Sequence, residues 1–184
     1  MSEKFTFNKA NLSKAKDIIA RYPEKRQLSA VLPLLDLAQR QNNGWLSISA
    51  LEYVADFLEA PYIRIYEVAS FYTMFNLKPV GKHHVQICGT TPCWLRGAGE
   101  IKEACEKHLK IKCGNTTTDN QFTLSEVECL GACVNAPVVQ INDDYFEDLN
   151  PKLIKELLDD LASNKTIKPG SQIGRQNSAP TEGV

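Results

Sequence analysis

The 184-residue sequence has no excess of either charge: 21 Lys and Arg stand against 22 Asp and Glu. That balance does not favour a polyanion, so nucleic acid is not an expected partner. No stretch approaches the roughly 20 apolar residues of a membrane helix. The longest candidate, 30–38, is interrupted by Pro33 and Asp36, so no direct membrane insertion is expected. The opening residues, Met1-Ser2-Glu3-Lys4-Phe5, carry an early acid and no apolar core, which argues against a secretory signal. They are also neither Arg-rich nor acid-free, as a mitochondrial transit peptide would be. There is no P-loop, no zinc-protease motif and no nucleophile–base set. Gly97-Ala98-Gly99 opens a helix, but Lys102 stands where a dinucleotide fingerprint needs its third glycine. Histidine is scarce: His83, His84 and His108 are the three, and none lies in a cysteine loop, as a Rieske-type centre would require. An electron site without a substrate site is the expectation.

The N-terminal half contains no cysteine and carries helical apolar spacing. Asn11 or Ser13 can cap a first helix that Pro23 stops. A second helix is expected over about 28–41, with Val31, Leu34, Leu35 and Ala38 on one face and Asn43-Gly44 at its end. Pro33 falls in its first turn, where a missing N–H costs least. Ser49 and Glu52 read as a capping box before Leu51, Val54, Ala55 and Leu58. A fourth helix starts near Pro61 and runs into Phe71-Tyr72-Thr73-Met74-Phe75, read as aromatics closing a core, with a partner surface open as the alternative. These helices form a small bundle domain over 1–80.

Pro79 and Gly81 mark the boundary, and the pattern then becomes α/β over 81–163. Strands are expected at 84–88 and 123–129, with a helix over about 99–110 carrying Ile101, Ala104, Cys105 and Leu109. A hairpin of 138–141 and 145–147 follows. Asn150-Pro151 caps a closing helix made amphipathic by Leu153, Ile154, Leu157, Leu158 and Leu161. Residues 164–184 lack apolar periodicity and are expected to be an extended or disordered tail.

Six cysteines remain to be explained. In a chain expected to be soluble and intracellular they are reduced thiols or metal ligands rather than disulfides. Cys88-x4-Cys93 and Cys129-x3-Cys133 give two thiolate pairs separated by residues 94–128. Each pair follows a strand, and Gly89 and Gly131 allow close backbone approach and positive φ. Such turns can aim N–H groups at anionic sulfur. A [2Fe–2S] core suits two pairs, one per iron. Zinc tolerates similar spacings and stays open as the alternative. Neither pair is Cys-x-x-Cys, which disfavours a dithiol oxidoreductase. Closing the gap between the pairs costs about 3 kcal/mol in loop entropy, so a folded scaffold must hold the loops together. Cys105 reads as a small buried hydrophobe and Cys113 as a bystander.

Longer runs carry a resemblance. Phe71-Tyr72-Thr73-Met74-Phe75-Asn76, Lys78-Pro79-Val80-Gly81-Lys82 and Val85-Gln86-Ile87-Cys88 closely resemble the small thioredoxin-like [2Fe–2S] subunit of NADH:quinone oxidoreductase, respiratory complex I. So do Thr90-Thr91-Pro92-Cys93, the run from Phe122 through Cys129-Leu130-Gly131-Ala132-Cys133, and Val134-Asn135-Ala136-Pro137. The resemblance implies a helical bundle followed by a thioredoxin-like domain, a four-stranded sheet with flanking helices. It implies one [2Fe–2S] cluster on Cys88, Cys93, Cys129 and Cys133. It also implies pairing with a flavin subunit that binds NADH and FMN, and contact with a large iron–sulfur subunit. The expected location is peripheral, on the cytoplasmic side of a bacterial inner membrane or the matrix side for a processed mitochondrial form. NAD-linked hydrogenases and formate dehydrogenases use equivalent subunits and stay open as alternatives, as does a zinc-stabilised docking module.

Overall fold

The computed structural model describes residues 4–179, which divide into one compact unit ending at Val80 and a second beginning at Gly81. The first holds α1 (Lys9–Ile19), a 3-10 turn (Gln27–Ala30), α2 (Val31–Gln41), α3 (Ile48–Phe57) and α4 (Tyr62–Phe71). Its caps fall slightly upstream of the expected ones. Asn8, with extended backbone, caps α1 by accepting from Asn11 N at 2.9 Å. Ser47 caps α3 by accepting from Ala50 N at 3.2 Å, and Ser49 lies inside the helix. In both cases the side chain just before the first helical residue wins, because only there is the backbone extended while the amide three residues on is still free. Leu34, Leu35, Leu46, Leu51, Val54 and Ile65 fill the core, and Phe7, Tyr53 and Phe57 pack edge-on and stacked beside it. The run after α4 departs from expectation. Phe75 is buried, but Phe71 is 78% exposed and Tyr72 and Met74 are exposed as well. The chain leaves the helix at Tyr72, whose backbone is extended, so the helical spacing that would have turned these side chains inward stops there.

The second unit is a sheet with helices packed on it. Its order is β2 (Asn115–Thr116), β3 (Phe122–Val127), β1 (His83–Cys88), β4 (Val139–Ile141), β5 (Asp144–Glu147) and β6 (Gly170–Ser171). The expected four strands are the inner ones, and a two-residue strand extends each edge. β1 and β3 are parallel, as a crossover requires, and α5 (Thr91–Leu95) and α6 (Ala98–Leu109) provide it. β4 returns antiparallel to β1 and continues as the β4–β5 hairpin. α6 packs against β1, β3 and α7 (Pro151–Ala162). Val85, Ile87, Leu124, Val139, Phe146, Ile154 and Leu158 form the buried layer, joined by Cys105. Asn150 caps α7 through Lys152 N and Leu153 N, both at 2.9 Å. The described part of the tail is tied down rather than loose, because β6 pairs parallel with β5. No apolar periodicity announces that contact, because backbone pairing and polar side chains make it. Among the described residues no helix is long and apolar enough to cross a membrane.

Candidate metal centre

Parallel pairing decides where the cysteines go. Cys88 ends β1 directly opposite Val127, the last residue of β3. The two strands therefore release their following loops side by side at the same sheet edge, the position where open α/β sheets place their sites. Gly89 N continues the ladder to Val127 O at 3.0 Å, and Cys88 N bonds Val138 O at 3.2 Å. Cys93 follows one turn later inside α5, buried like Cys88. The expected second strand runs to 129, but it ends at Val127. Cys129 thus lies in the loop, and Cys133 opens a 3-10 turn, Cys133–Asn135; both are exposed.

The loops are linked by polar groups aimed at sulfur. The Thr90 hydroxyl lies 3.3 Å from Cys88 Sγ, Gly131 N donates to Cys129 Sγ at 3.4 Å, and Cys129 Sγ lies 3.5 Å from Cys133 Sγ. Across the gap, Leu130 contributes to lowering the Cys88 pKa and Thr90 to lowering that of Cys129. Sulfur-to-sulfur bonding runs within each pair. Among the described residues no group of three or more His, Cys, Asp or Glu side chains is set to hold a metal ion in this form.

These bonds divide the thiols. At Cys88 burial pushes the pKa up, but hydrogen bonds from the Thr90 side chain and backbone and from Leu130 outweigh it, and the net shift is downward. Burial and the bond to Cys88 push Cys93 up to about 12. The Gly131 amide, helped by Cys133 and Thr90, draws Cys129 down, whereas sharing with Cys129 raises Cys133. Each pair thus holds one thiol whose pKa is lowered and one whose pKa is raised.

The loop glycines differ in role. Gly131 has φ +82°, which a side chain disfavours, and this turns its amide onto Cys129. Gly89 is not at positive φ, contrary to expectation; a Cβ there would come within 2.5 Å of Glu126 Oε1. Because a flexible side chain is what it would meet, that constraint is the softer one.

Three supporting residues had no clear signal in the sequence. Thr90 sets its hydroxyl against Cys88 Sγ. Tyr145 donates its hydroxyl to Leu130 O at 2.8 Å, holding the second loop from β5. Asn135, buried at the end of the 3-10 turn, donates to Glu147 Oε2 at 2.6 Å. A hydrophobic rim also surrounds the loops: Trp94, Leu95 and Val134 are each roughly two-thirds exposed or more. The remaining polar candidates lie on β1, on α6 and on the connection after α6. His84 bonds Ser125 at 2.9 Å and His108 bonds Asp159 at 2.8 Å. His83 stacks near Phe122 with its Nε2 buried and unpartnered among the described residues. Cys105 is fully buried in the sheet–helix core, and Cys113 is half-buried. Lys102 pairs with Glu126.

Two thiol pairs carried on the ends of parallel strands, with helices on the sheet, define a thioredoxin-like scaffold with a cysteine-loop site. The sequence pattern of the thioredoxin-like [2Fe-2S] ferredoxin family matches residues 15–162, and the chain belongs to that family. Within it, the chain is 62% identical over 164 residues to an NADH-quinone oxidoreductase subunit from Rickettsia felis, covering 89% of this chain and 98% of that protein. It is 66% identical over 161 residues to the same oxidoreductase's counterpart in Rickettsia typhi, covering 85% and 95%. It is also 52% identical over 179 residues to NADH dehydrogenase [ubiquinone] flavoprotein 2, mitochondrial, of Dictyostelium discoideum, covering 97% of this chain and 72% of that one. Among solved structures, an NAD+-reducing [NiFe]-hydrogenase in the air-oxidized state shares the fold, with a TM-score of 0.63 and 22% identity. The match covers 71% of this chain and 23% of the hydrogenase chain.

Proposed function

We propose that Cys88, Cys93, Cys129 and Cys133 hold one [2Fe–2S] cluster, and that the chain serves as an electron-transfer subunit of an NADH:quinone oxidoreductase. One observation carries the reading: the two cysteine loops leave neighbouring parallel strand ends, with a hydroxyl at Cys88 Sγ and an amide at Cys129 Sγ. The donor set fits the group. Two pairs supply two thiolates to each of two irons, and all-sulfur ligation suits iron–sulfur chemistry. Such a cluster, when bound, supplies one-electron oxidation and reduction. The chain's residues bind and orient it. Thr90, Leu130 and Gly131 direct donors at the sulfurs, which stabilises negative charge there and raises the reduction potential. Buried Cys88 and Cys93 face the sheet side, where water is excluded; Cys129 and Cys133 face outward, the direction from which a redox partner can approach.

NADH and FMN belong to a partner in this reading, because no dinucleotide motif accompanies the site. The flavin subunit would exchange electrons one at a time with this chain, and the rim of Trp94, Leu95 and Val134 offers it an apolar landing. A large iron–sulfur subunit is the second proposed neighbour. The assembly is proposed to lie peripherally on the cytoplasmic face of the bacterial inner membrane, or on the matrix face in mitochondria. The division at Val80/Gly81 is read as a helical domain followed by a cluster domain. The hydrogenase likeness favours one second reading, an equivalent subunit of an NAD-linked hydrogenase. Substitution tests the ligand set directly. Cys→Ser at any of the four positions is expected to impair cluster assembly, while Cys113→Ser and Cys105→Ala retain the native visible spectrum. A native spectrum after replacing Cys129 would remove it from the ligand set.

A further inference from the structure

A second, entirely polar cluster lies next to the cysteine loops, and the proposed electron transfer does not use it. Glu147 on β5 is 1% exposed, and the donors to its carboxylate are uncharged: Asn135 Nδ2 at 2.6 Å, Ser178 N at 3.0 Å and Ser178 Oγ. Asp148 beside it, also buried, accepts from Arg175 Nη1 at 2.8 Å and Ser171 Oγ at 2.7 Å. Asn135 Nδ2 donates again to Gln176 O at 2.7 Å, and Asn135 O accepts from Asp148 N at 2.8 Å. Ser171 N donates to Asn177 Oδ1 at 2.9 Å, which folds the tail back on itself.

A buried carboxylate is costly unless its acceptors are filled. Here they are filled from two places: the turn that carries Cys133, and the tail. Strand periodicity explains the reach. Tyr145 and Glu147 are two apart and so point from one face of β5. Tyr145 holds the front of the cysteine loop at Leu130, and Glu147 holds its end at Asn135.

We infer that residues 170–178 form a positioning strap for the Cys129–Cys133 loop. The strap fixes Glu147, Glu147 fixes Asn135, and Asn135 fixes the turn that presents Cys133. This rests on the reading of Cys133 as a cluster ligand. Asn135, Glu147 and Ser178 are then positioning residues acting through the turn, as outer-shell partners act at other metal sites.

The test uses full-length chains purified anaerobically, with iron and sulfide content measured first. Ser178→Pro deletes both tail donors to Glu147, because proline has no N–H. Ser178→Thr keeps both, and Asn135→Ala cuts the last link. His108→Ala, on the α6–α7 face, serves as a control for loss of stability alone. The readouts are the g-values of the dithionite-reduced cluster, the rate of cluster loss to a chelator, and the thermal midpoint. Ser178→Pro and Asn135→Ala are expected to shift the g-values and lose the cluster about tenfold faster. Ser178→Thr and His108→Ala are expected to match the native chain in both. Should Asn135→Ala fail to fold, Ser178→Pro carries the test. Native g-values and loss rate in Ser178→Pro would overturn the inference, as would an equal change in His108→Ala. A native chain without iron and sulfide would overturn the ligand reading and the strap's role together.

Discussion

Thr90 and Cys105 show how single groups set the chemistry of this chain. The Thr90 hydroxyl lies 3.3 Å from Cys88 Sγ in the first cysteine loop. Its donation favours the more negative state of the thiolates, so Thr90→Val is expected to lower the reduction potential of the bound cluster. A bond worth about 1 kcal/mol bounds that shift at roughly 40 mV for one electron. A redox titration of the two proteins checks it; an unchanged or raised potential would remove Thr90 from this role. Cys105 works through burial instead, which pushes its thiol up to about 12. Its folded pKa lies above the unfolded one, so the folded state retains a proton that the unfolded state releases. The stabilising contribution is therefore complete below about pH 9 and declines as pH rises towards 12. Cys105→Ala should flatten the alkaline loss of stability by at most about 1.4 kcal/mol per pH unit. Denaturant unfolding of both proteins across that window reads the difference in slope. The ligand candidates themselves are legible as residues, because paired thiols at short spacing suit metal ligation. Thr90 and Asn135 are not, because a lone hydroxyl or amide becomes informative only once its neighbours in space are known.

At the scale of elements, the parallel pairing of β1 with β3 brings the loops together, and α6 and α7 keep that sheet covered. Stability should therefore be sensitive to α7. Asn150→Ala removes a cap that serves two amides and is expected to cost about 1 kcal/mol. Leu158→Ala opens a hole in the core and is expected to cost about 2–5 kcal/mol. The His108–Asp159 pair on the same face, with Asp159 exposed, is worth far less. Chemical denaturation ranks the three, and a cap loss exceeding the core loss would contradict this packing. The helices and inner strands are readable because their apolar periods of 3.6 and 2 survive in the sequence. The ends are less so: Ser47 rather than Ser49 caps α3, and β3 stops two residues short of Cys129. The short edge strands β2 and β6 carry no pattern at all. Two residues cannot show a period, and β6 is held by Gln172 N donating to Glu147 O and Ser171 N donating to Asn177 Oδ1.

For the molecule as a whole, exposed apolar side chains mark the surface on which a partner is proposed to dock. The aromatic run after α4 reads in sequence as the closing of a core, yet Phe71, Tyr72 and Met74 lie open. In the second unit Trp94, Leu95 and Val134 do the same around the cysteine loops. With a flavin subunit docked on this rim as proposed, Trp94→Ala is expected to weaken the association by tenfold or more, as loss of an interface aromatic does. Titration with the purified partner measures it, and undiminished affinity would move the interface elsewhere. What the four thiols hold decides the role of every other residue around them. The direct measurement is metal and sulfide analysis of anaerobically purified protein, with electron paramagnetic resonance before and after dithionite. Two irons and two sulfides per chain, silent when oxidised and giving one unpaired spin on reduction, are the predicted result. A colourless, diamagnetic protein carrying one zinc per chain would contradict it.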